Sequence, residues 1–532
     1  MALYWFVLAP VLLGMISFVI HEKLRAPLLI TCQLGFIWFA VSVFLTVKEE
    51  GKVLWNAGGY EDGLALSLYA DHLAIFLVSM TTIFMLFFII YSIGQPYFQG
   101  QFTFLYMVLQ GVMHGLFLSS DLFNIFIFLE VATVVVAILI MINKEKQAIY
   151  DGMIYFFVNV IGTSFLLLGI GMIYHTFGLL DIRYIKEAMP LLENPKSMIL
   201  PFSLMMVTVS LKSALTPLFS WLPKAHGTPS APPVVSAILS GVYIKTGVYL
   251  FIRFNEMYAP VLDITPFFFW VGFITSVVGF MMALGQHDIK LILAYHTVSQ
   301  VGLIMMGLNM QADIAYWGAI FHILNHGIFK STLFLTAGIV YEEYGTRDVF
   351  KIRGVLRRMP LVGIAMGLSV LGIMGAPFFN GSISKYMIAH GTYDYGMTLL
   401  LNLTNLGTIM SFVKYGTMLF GRSDVELTGT TKWPAKLSSF VLGIASLLTG
   451  IYAVTLTDVL LNYQVQVDAA EYNQKTIVFF LMVIAGVAFY NGIIKRGSFL
   501  EEMGHFELSF NTIITAMVSY FIILVGYLNF VL

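Results

Sequence analysis

Glu130, in "DLFNIFIFLEVATVVVAIL", is the one acid deep within an otherwise apolar run, and Lys212, in "MMVTVSLKSALTPLFSWLPKAH", is an amine in a run of the same kind. A charge in hydrocarbon costs roughly 2.5 to 3.5 kcal/mol on insertion scales, so each needs a partner, a cavity or a task. A carboxylate beside an ammonium keeps both charged, and separating them favours the neutral amine, which has then given up a proton. Glu130 and Lys212 are therefore candidates for reversible protonation. The rival reading is a static buried pair, which gains little over apolar packing. In "AIFHILNHGIFKSTLFLTAG", His322, His326 and Lys330 follow one another at steps of four and share one helix face. Histidine titrates near neutral pH and can relay protons. A metal site would need the Glu that "HILNH" lacks, a bis-histidine haem would need a facing helix, and one histidine in a structural hydrogen bond stays open beside the relay. "DIKLILAYHTVSQVGLIMMG" adds His296, Ser299 and Gln300 on one polar face, which trapped water can bridge to the others. Lys245, Lys385 and Lys414 complete the set of ionisable groups placed inside apolar runs.

The elements that hold these groups must be membrane helices. Of 532 residues, 59% are hydrophobic and 11% charged, and the mean hydropathy is +0.86, far too apolar for a soluble globule. Runs of about 20 apolar residues match a bilayer core roughly 30 Å thick. Sixteen spans are predicted, near 3–21, 28–47, 71–94, 102–119, 121–142, 151–175, 199–222, 232–254, 265–285, 289–309, 313–340, 361–390, 397–421, 437–460, 475–495 and 510–531. No linker is long enough for a folded soluble domain. The first run lacks a basic leader and reads as a retained helix. The net charge of -1 gives no hint of nucleic acid, and a single cysteine, Cys32, excludes an internal disulfide and a cysteine-held cluster. No cofactor is expected. Asp71 and His72 read as span-boundary residues and His114 as a satisfied core histidine.

Loops after odd-numbered spans carry sixteen Lys and Arg against seven on the other side, which predicts both termini extracytoplasmic. Lys212 precedes a break at Pro217 and Pro223, and Lys385 follows one at Gly375, Pro377 and Gly381. Lys245 and Lys414 each lie in the next span. Five spans separate the two pairs, and an odd offset inverts one unit relative to the other, as in transporters built from inverted repeats with broken helices.

These runs resemble a family. "LKSALTPLFSWLPKAH" and "APPVVSAILSGVYIKTGVYLFIR", followed by "HDIKLILAYHTVSQVGLI", "FHILNHGIFKSTLFLTAG" and "GAPFFNGSISK", are similar in order to the motifs of antiporter-like subunits of respiratory complex I, group 4 membrane-bound hydrogenases and Mrp-type cation/proton antiporters. "LSGVYIKTGVY" looks closest to the D subunit of Mrp antiporters. The resemblance implies an all-α polytopic membrane protein of about 14–16 spans with two inverted five-helix repeats, each holding a broken helix. It divides the chain into N-terminal helices (1–100), a first repeat (101–255), a second (256–425) and C-terminal helices (426–532). It implies that Glu130 and Lys212 are the coupled pair, that Lys245 continues the path, that His322, His326 and Lys330 join the halves, and that Lys385 gates exit. The expected function is proton translocation in a multisubunit antiporter of the cell membrane. A hydrogenase or complex I-like pump and an inorganic-carbon uptake partner are the alternatives. Expected partners are other membrane subunits, protons with Na⁺ or K⁺, and lipid, and any redox centre would belong to a partner. Two features depart from the family pattern, Ser220 before "WLP" and the long loop "HGTPSAPP", while "RGSFLEEMGHFELS" is short for the lateral helix of the longer members.

Overall fold

The computed structural model of the protein describes residues 2–60, 66–227, 231–392, 395–492 and 508–531. Thr228, Pro229 and Ser230 of the long loop, Lys495 and most of "RGSFLEEMGHFELS" lie outside them. The described helices are, in order, α1 (Trp5–Val19), α2 (Glu22–Glu50), α3 (His72–Ser92), α4 (Gly100–Leu118), α5 (Leu122–Ile140), α6 (Lys146–Phe177), α7 (Ile182–Ala188), α8 (Ile199–Lys212), α9 (Trp221–Gly227), α10 (Pro233–Ile238) and α11 (Ile244–Tyr258). There follow α12 (Thr265–Gly285), α13 (Ile289–Leu308), α14 (Asp313–Tyr344), α15 (Val355–Arg358), α16 (Pro360–Met374), α17 (Asn380–His390), α18 (Tyr395–Gly416), α19 (Trp433–Ile451), α20 (Ala453–Leu461), α21 (Ala469–Gly492) and α22 (Phe510–Val531).

Among the described residues, 13 helical stretches are long and apolar enough to cross a membrane, one of them being α10 and α11 joined through a π turn. The remaining three of the sixteen predicted spans fall on the short α1 and on two broken pairs, α8 with α9 and α16 with α17. The protein is a multi-pass integral membrane protein. One loop differs from expectation. Residues 48–70 hold a small antiparallel hairpin, β1 (Val53–Asn56) with β2 (Ser67–Ala70), in register from Val53 opposite Ala70 to Asn56 opposite Ser67. Its strands are only four residues long, too short to signal a strand among helices.

Local chemistry fixes the helix ends. Asp121 caps α5 by accepting from Asn124 N at 2.7 Å, and Asp288 caps α13 by accepting from Leu291 N at 3.2 Å, and from Lys290 N at 2.8 Å. The long helices α6 and α14 each stop at a left-handed glycine, Gly178 and Gly345. In both cases the chain then pairs back to the cap. Leu122 N donates to Leu180 O and Ile182 N to Ser120 O, each at 2.9 Å. Ile289 N donates to Arg347 O and Val349 N to His287 O, again at 2.9 Å. One fixed displacement along the sequence takes every residue of the first set, cap and glycine included, onto its counterpart in the second.

Both broken helices close alike. After Lys212 the chain turns through Ala214, with φ +52, and Leu215 N reaches back to Ser210 O at 2.8 Å. After Met374 it turns through Gly375, with φ +81, a value open to glycine at little cost, and Ala376 N reaches back to Leu371 O at 3.0 Å. A carbonyl freed by the first break, Leu211 O, accepts from Trp221 Nε1 at 2.8 Å. One freed by the second, Ile373 O, accepts from Lys385 Nζ at 2.7 Å. Between helices, small residues allow close approach. A Cβ on Gly279 would sit 2.5 Å from Ser299 N, and one on Gly302 would sit 2.4 Å from Ser276 N, so α12 and α13 meet backbone to backbone.

Candidate functional site

The two breaks bracket a belt of polar side chains buried between helices. Lys212, the last residue of α8, is 1% exposed, and its Nζ donates to Thr133 Oγ1 of α5 at 2.7 Å. Glu130 lies one turn before Thr133 on the same helix and accepts from Thr163 Oγ1 of α6. Glu130 and Lys212 thus face one locus but form no direct ion pair. Two threonine hydroxyls stand around them, Thr133 on the amine and Thr163 on the carboxylate. Glu130 is partly exposed on the outer side of α5, where Phe123, Ile127, Val131 and Val134 point outward. The amine is the more deeply buried of the two.

α11 runs against the first break. A Cβ on Gly247 would lie 2.6 Å from the Lys212 carbonyl carbon, so nothing larger than hydrogen fits there. One turn earlier the π turn Leu239–Tyr243 leads into Lys245. Its Nζ donates to Ser240 O at 2.5 Å and lies 2.6 Å from His326 Nδ1 of α14. An extra residue per turn re-aims the side chains that follow it, a device frequent at functional sites. Since a charged amine can only donate, His326 Nδ1 accepts when Lys245 is protonated. The His326 and His322 ring centroids are 6.5 Å apart. His322 contacts Gln300 Oε1 through Nε2 at 3.1 Å and Ser384 Oγ through Nδ1 at 2.9 Å. Ser384 adjoins Lys385, whose Nζ donates to Asn405 Oδ1 of α18 at 2.8 Å. These contacts run from Lys245 to the second break, and the backbone at Gly247 packs the same helix on the first.

The other predicted residues take different places. Lys330 Nζ donates to Leu293 O at 2.7 Å and lies 5.8 Å from the Phe412 ring centroid. His296 packs against the same ring, 4.8 Å between centroids, and neither of its ring nitrogens has a protein partner among the described residues. Buried nitrogens of this kind are ordinarily satisfied by water. The expected polar face of α13 divides. Gln300 turns to His322, while Ser299 turns to Ser276 of α12 at 3.3 Å. Lys414 is bound to backbone. Its Nζ donates to Ala283 O, Leu284 O and Gln286 O at 3.0, 2.7 and 2.6 Å, capping the C-terminal end of α12. A cation there answers both the carbonyls of the last turn and the helix dipole.

Thr133, Thr163, Ser384 and Asn405 escape a reading of the sequence. The available signal is spacing, because Thr133 follows Glu130 by three residues and Ser384 directly precedes Lys385. His114 is satisfied on both sides, by Phe6 O at 3.1 Å and Thr82 Oγ1 at 3.2 Å. Asp71 caps α3 and pairs with Arg253 at 2.6 Å. Burial alone would raise its pKa, and the Arg253 guanidinium brings it below the ordinary aspartate value.

Residues 119–411 match the family model described as "NADH:quinone oxidoreductase/Mrp antiporter, TM". The D subunit of the Na(+)/H(+) antiporter of Alkalihalophilus pseudofirmus is 28% identical over 421 residues, 77% of this chain and 84% of that protein. A putative antiporter subunit mnhD2 of Staphylococcus epidermidis is 26% identical over 471 residues, 86% of this chain and 92% of that one. Among solved structures, a chain of the Mrp complex from Dietzia sp. DQ12-45-1b superposes with a TM-score of 0.76 at 22% identity, over 93% of this chain and 98% of that one. A chain of the membrane-bound sulfane sulfur reductase, an archaeal respiratory membrane complex, superposes with a TM-score of 0.79 at 23% identity, over 91% and 99%.

Proposed function

The chain belongs to the NADH:quinone oxidoreductase/Mrp antiporter membrane-subunit family, and from that premise we propose that it is the proton-translocating subunit of a multisubunit cation/proton antiporter in the cell membrane. The observation that carries the reading is the set of buried amines and imidazoles held between two broken helices, with Lys212 at the first break, Lys245 against His326, and His322 against Ser384 beside Lys385. A static set of buried charges would be better replaced by apolar packing. Glu130 acts as the switch. When its carboxylate approaches through the threonine pair, Lys212 holds its proton. When it withdraws, the amine releases that proton toward Lys245 and His326. Lys330 and His296 flank the row and tune it, while Lys414 is an anchor.

The matching caps, back-pairings and glycine stops of α5–α7 and α13–α15 support two repeats. Five predicted spans separate them, so the second is inverted. The Lys and Arg bias places both termini outside. Other membrane subunits complete the assembly, as in the solved complexes that the fold resembles, with Na⁺ or K⁺ as the exchanged ion and lipid around the outer helices. A respiratory host complex would use the same row. In vesicles carrying the assembled complex, Lys385→Ala is expected to block net proton transfer while the subunits still co-purify, and an unaltered rate and pH optimum removes Lys385 from the path.

A further inference from the structure

A cavity of about 520 Å³ opens beside Lys385. Gln300 stands among its lining residues on the histidine side, α18 contributes Asn402 and Asn405, and α21 forms the far wall with Glu471 and Lys475. α21 lies beyond the stretch matched by the family model. Among the described residues lining the cavity, Glu471 is the one carboxylate. Its Oε2 lies 3.2 Å from His390 Nδ1 and accepts from Tyr386 OH at 3.1 Å. His390 and Glu471 are close to half exposed, at 44% and 46%, at the rim of the cavity. Lys475 Nζ sits 4.4 Å from the Tyr386 ring centroid and donates to Tyr386 O at 3.3 Å. The titratable groups facing this space are thus Lys385, Tyr386 and His390 from α17 and Glu471, Tyr472 and Lys475 from α21. α18 adds only neutral amides and hydroxyls.

We propose that this cavity is an aqueous vestibule and that Glu471 is a proton-transfer residue at its mouth, exchanging protons between Lys385 and the solvent with His390 as the outer acceptor. The inference rests on the proton-path reading above. One proton leaves the Lys385 ammonium for cavity water and then protonates the Glu471 carboxylate. From there it passes to His390 Nδ1 and on to bulk water, with no electron moved; Glu471 and His390 return to their starting states, and Lys385 is left neutral until the path behind it supplies the next proton. The lining suits water, since a polar space of this size offers each molecule several partners. Tyr386 holds the carboxylate toward the cavity, and Lys475 keeps a positive charge beside it.

The test uses vesicles carrying the assembled complex. Glu471→Gln keeps an acceptor for Tyr386 and therefore the packing, but cannot carry a proton. It is expected to slow proton-coupled exchange at least about tenfold and to move the pH profile, and Glu471→Asp should restore much of both. Asn402→Cys in a Cys32→Ser background should react with a membrane-impermeant thiol reagent, independently of any Glu471 variant. A Glu471→Gln complex with wild-type rate and profile, in a preparation where Lys212→Ala is inactive, overturns the proposal and leaves the proton path standing. An active Lys212→Ala complex overturns the path itself and this inference with it. An Asn402→Cys complex unreactive from both faces overturns the vestibule.

Discussion

Replacing Lys414 with methionine separates an anchoring lysine from a carrying one. The Lys414 amine is 2% exposed and spends its three N–H groups on three carbonyls at the end of α12. Each charge-assisted bond is worth roughly 1.5 to 3 kcal/mol, although three that share one charge do not add. Methionine fills much the same volume and removes the lysine donor from those buried carbonyls, so a net loss of about 1 to 3 kcal/mol is expected, the range for stripping a buried polar group of a partner. Lys212→Met is the contrast. Among the described residues that amine has one hydrogen-bond partner, the Thr133 hydroxyl, so its replacement strips one bond where Lys414→Met strips three. Heating detergent-solubilised complex and following the monodisperse fraction by size-exclusion chromatography gives both midpoints. Lys414→Met should melt below wild type, and Lys212→Met closer to it. A Lys414→Met complex that melts like wild type yet transports no protons would refute the reasoning and return Lys414 to the path.

Three further outcomes follow from the geometry. Gly247→Ala puts a methyl group about 2.5 Å from Ser213 N. The backbone on both sides must shift, so a loss of about 1 to 3 kcal/mol in the same melting assay should accompany slower transport. Thr133→Val keeps the shape of α5 and removes the acceptor of Lys212; it should lower the transport rate while subunit co-purification stays normal. Asp71, outside the spans, has a pKa below its ordinary value because Arg253 outweighs burial. Its contribution is present above the unfolded-state value of about 3.9 and is lost as pH falls through the lowered value, so Asp71→Asn should destabilise at neutral pH, and the gap from wild type should close in strong acid.

Much of this arrangement is legible in the chain because a membrane leaves few choices. Backbone groups in hydrocarbon must bond internally, so apolar runs become helices, and prolines or glycines with a nearby lysine mark where a helix breaks. Lys212, Lys245, His322, His326 and Lys385 stand out because ionisable groups are costly there. What stays hidden depends on tertiary direction. No spacing rule says that Thr133 and Thr163 stand around Glu130 and Lys212, since that depends on how α5, α6 and α8 rotate about their axes. Lys414 looks like its neighbours in sequence because a cap and a carrier are the same residue type, and only three carbonyls converging from α12 separate them. The vestibule draws on α21, far along the chain, whose Glu471 reads as an ordinary helix-start acid until the fold seats it against α17.

The most direct test measures proton-coupled transport by the assembled complex in sealed vesicles, comparing wild type with Lys212→Ala and Glu130→Ala after equal assembly has been verified. Both variants should be silent, because neither a carrier without its switch nor a switch without its carrier moves a proton. Wild-type transport by either one would contradict the account.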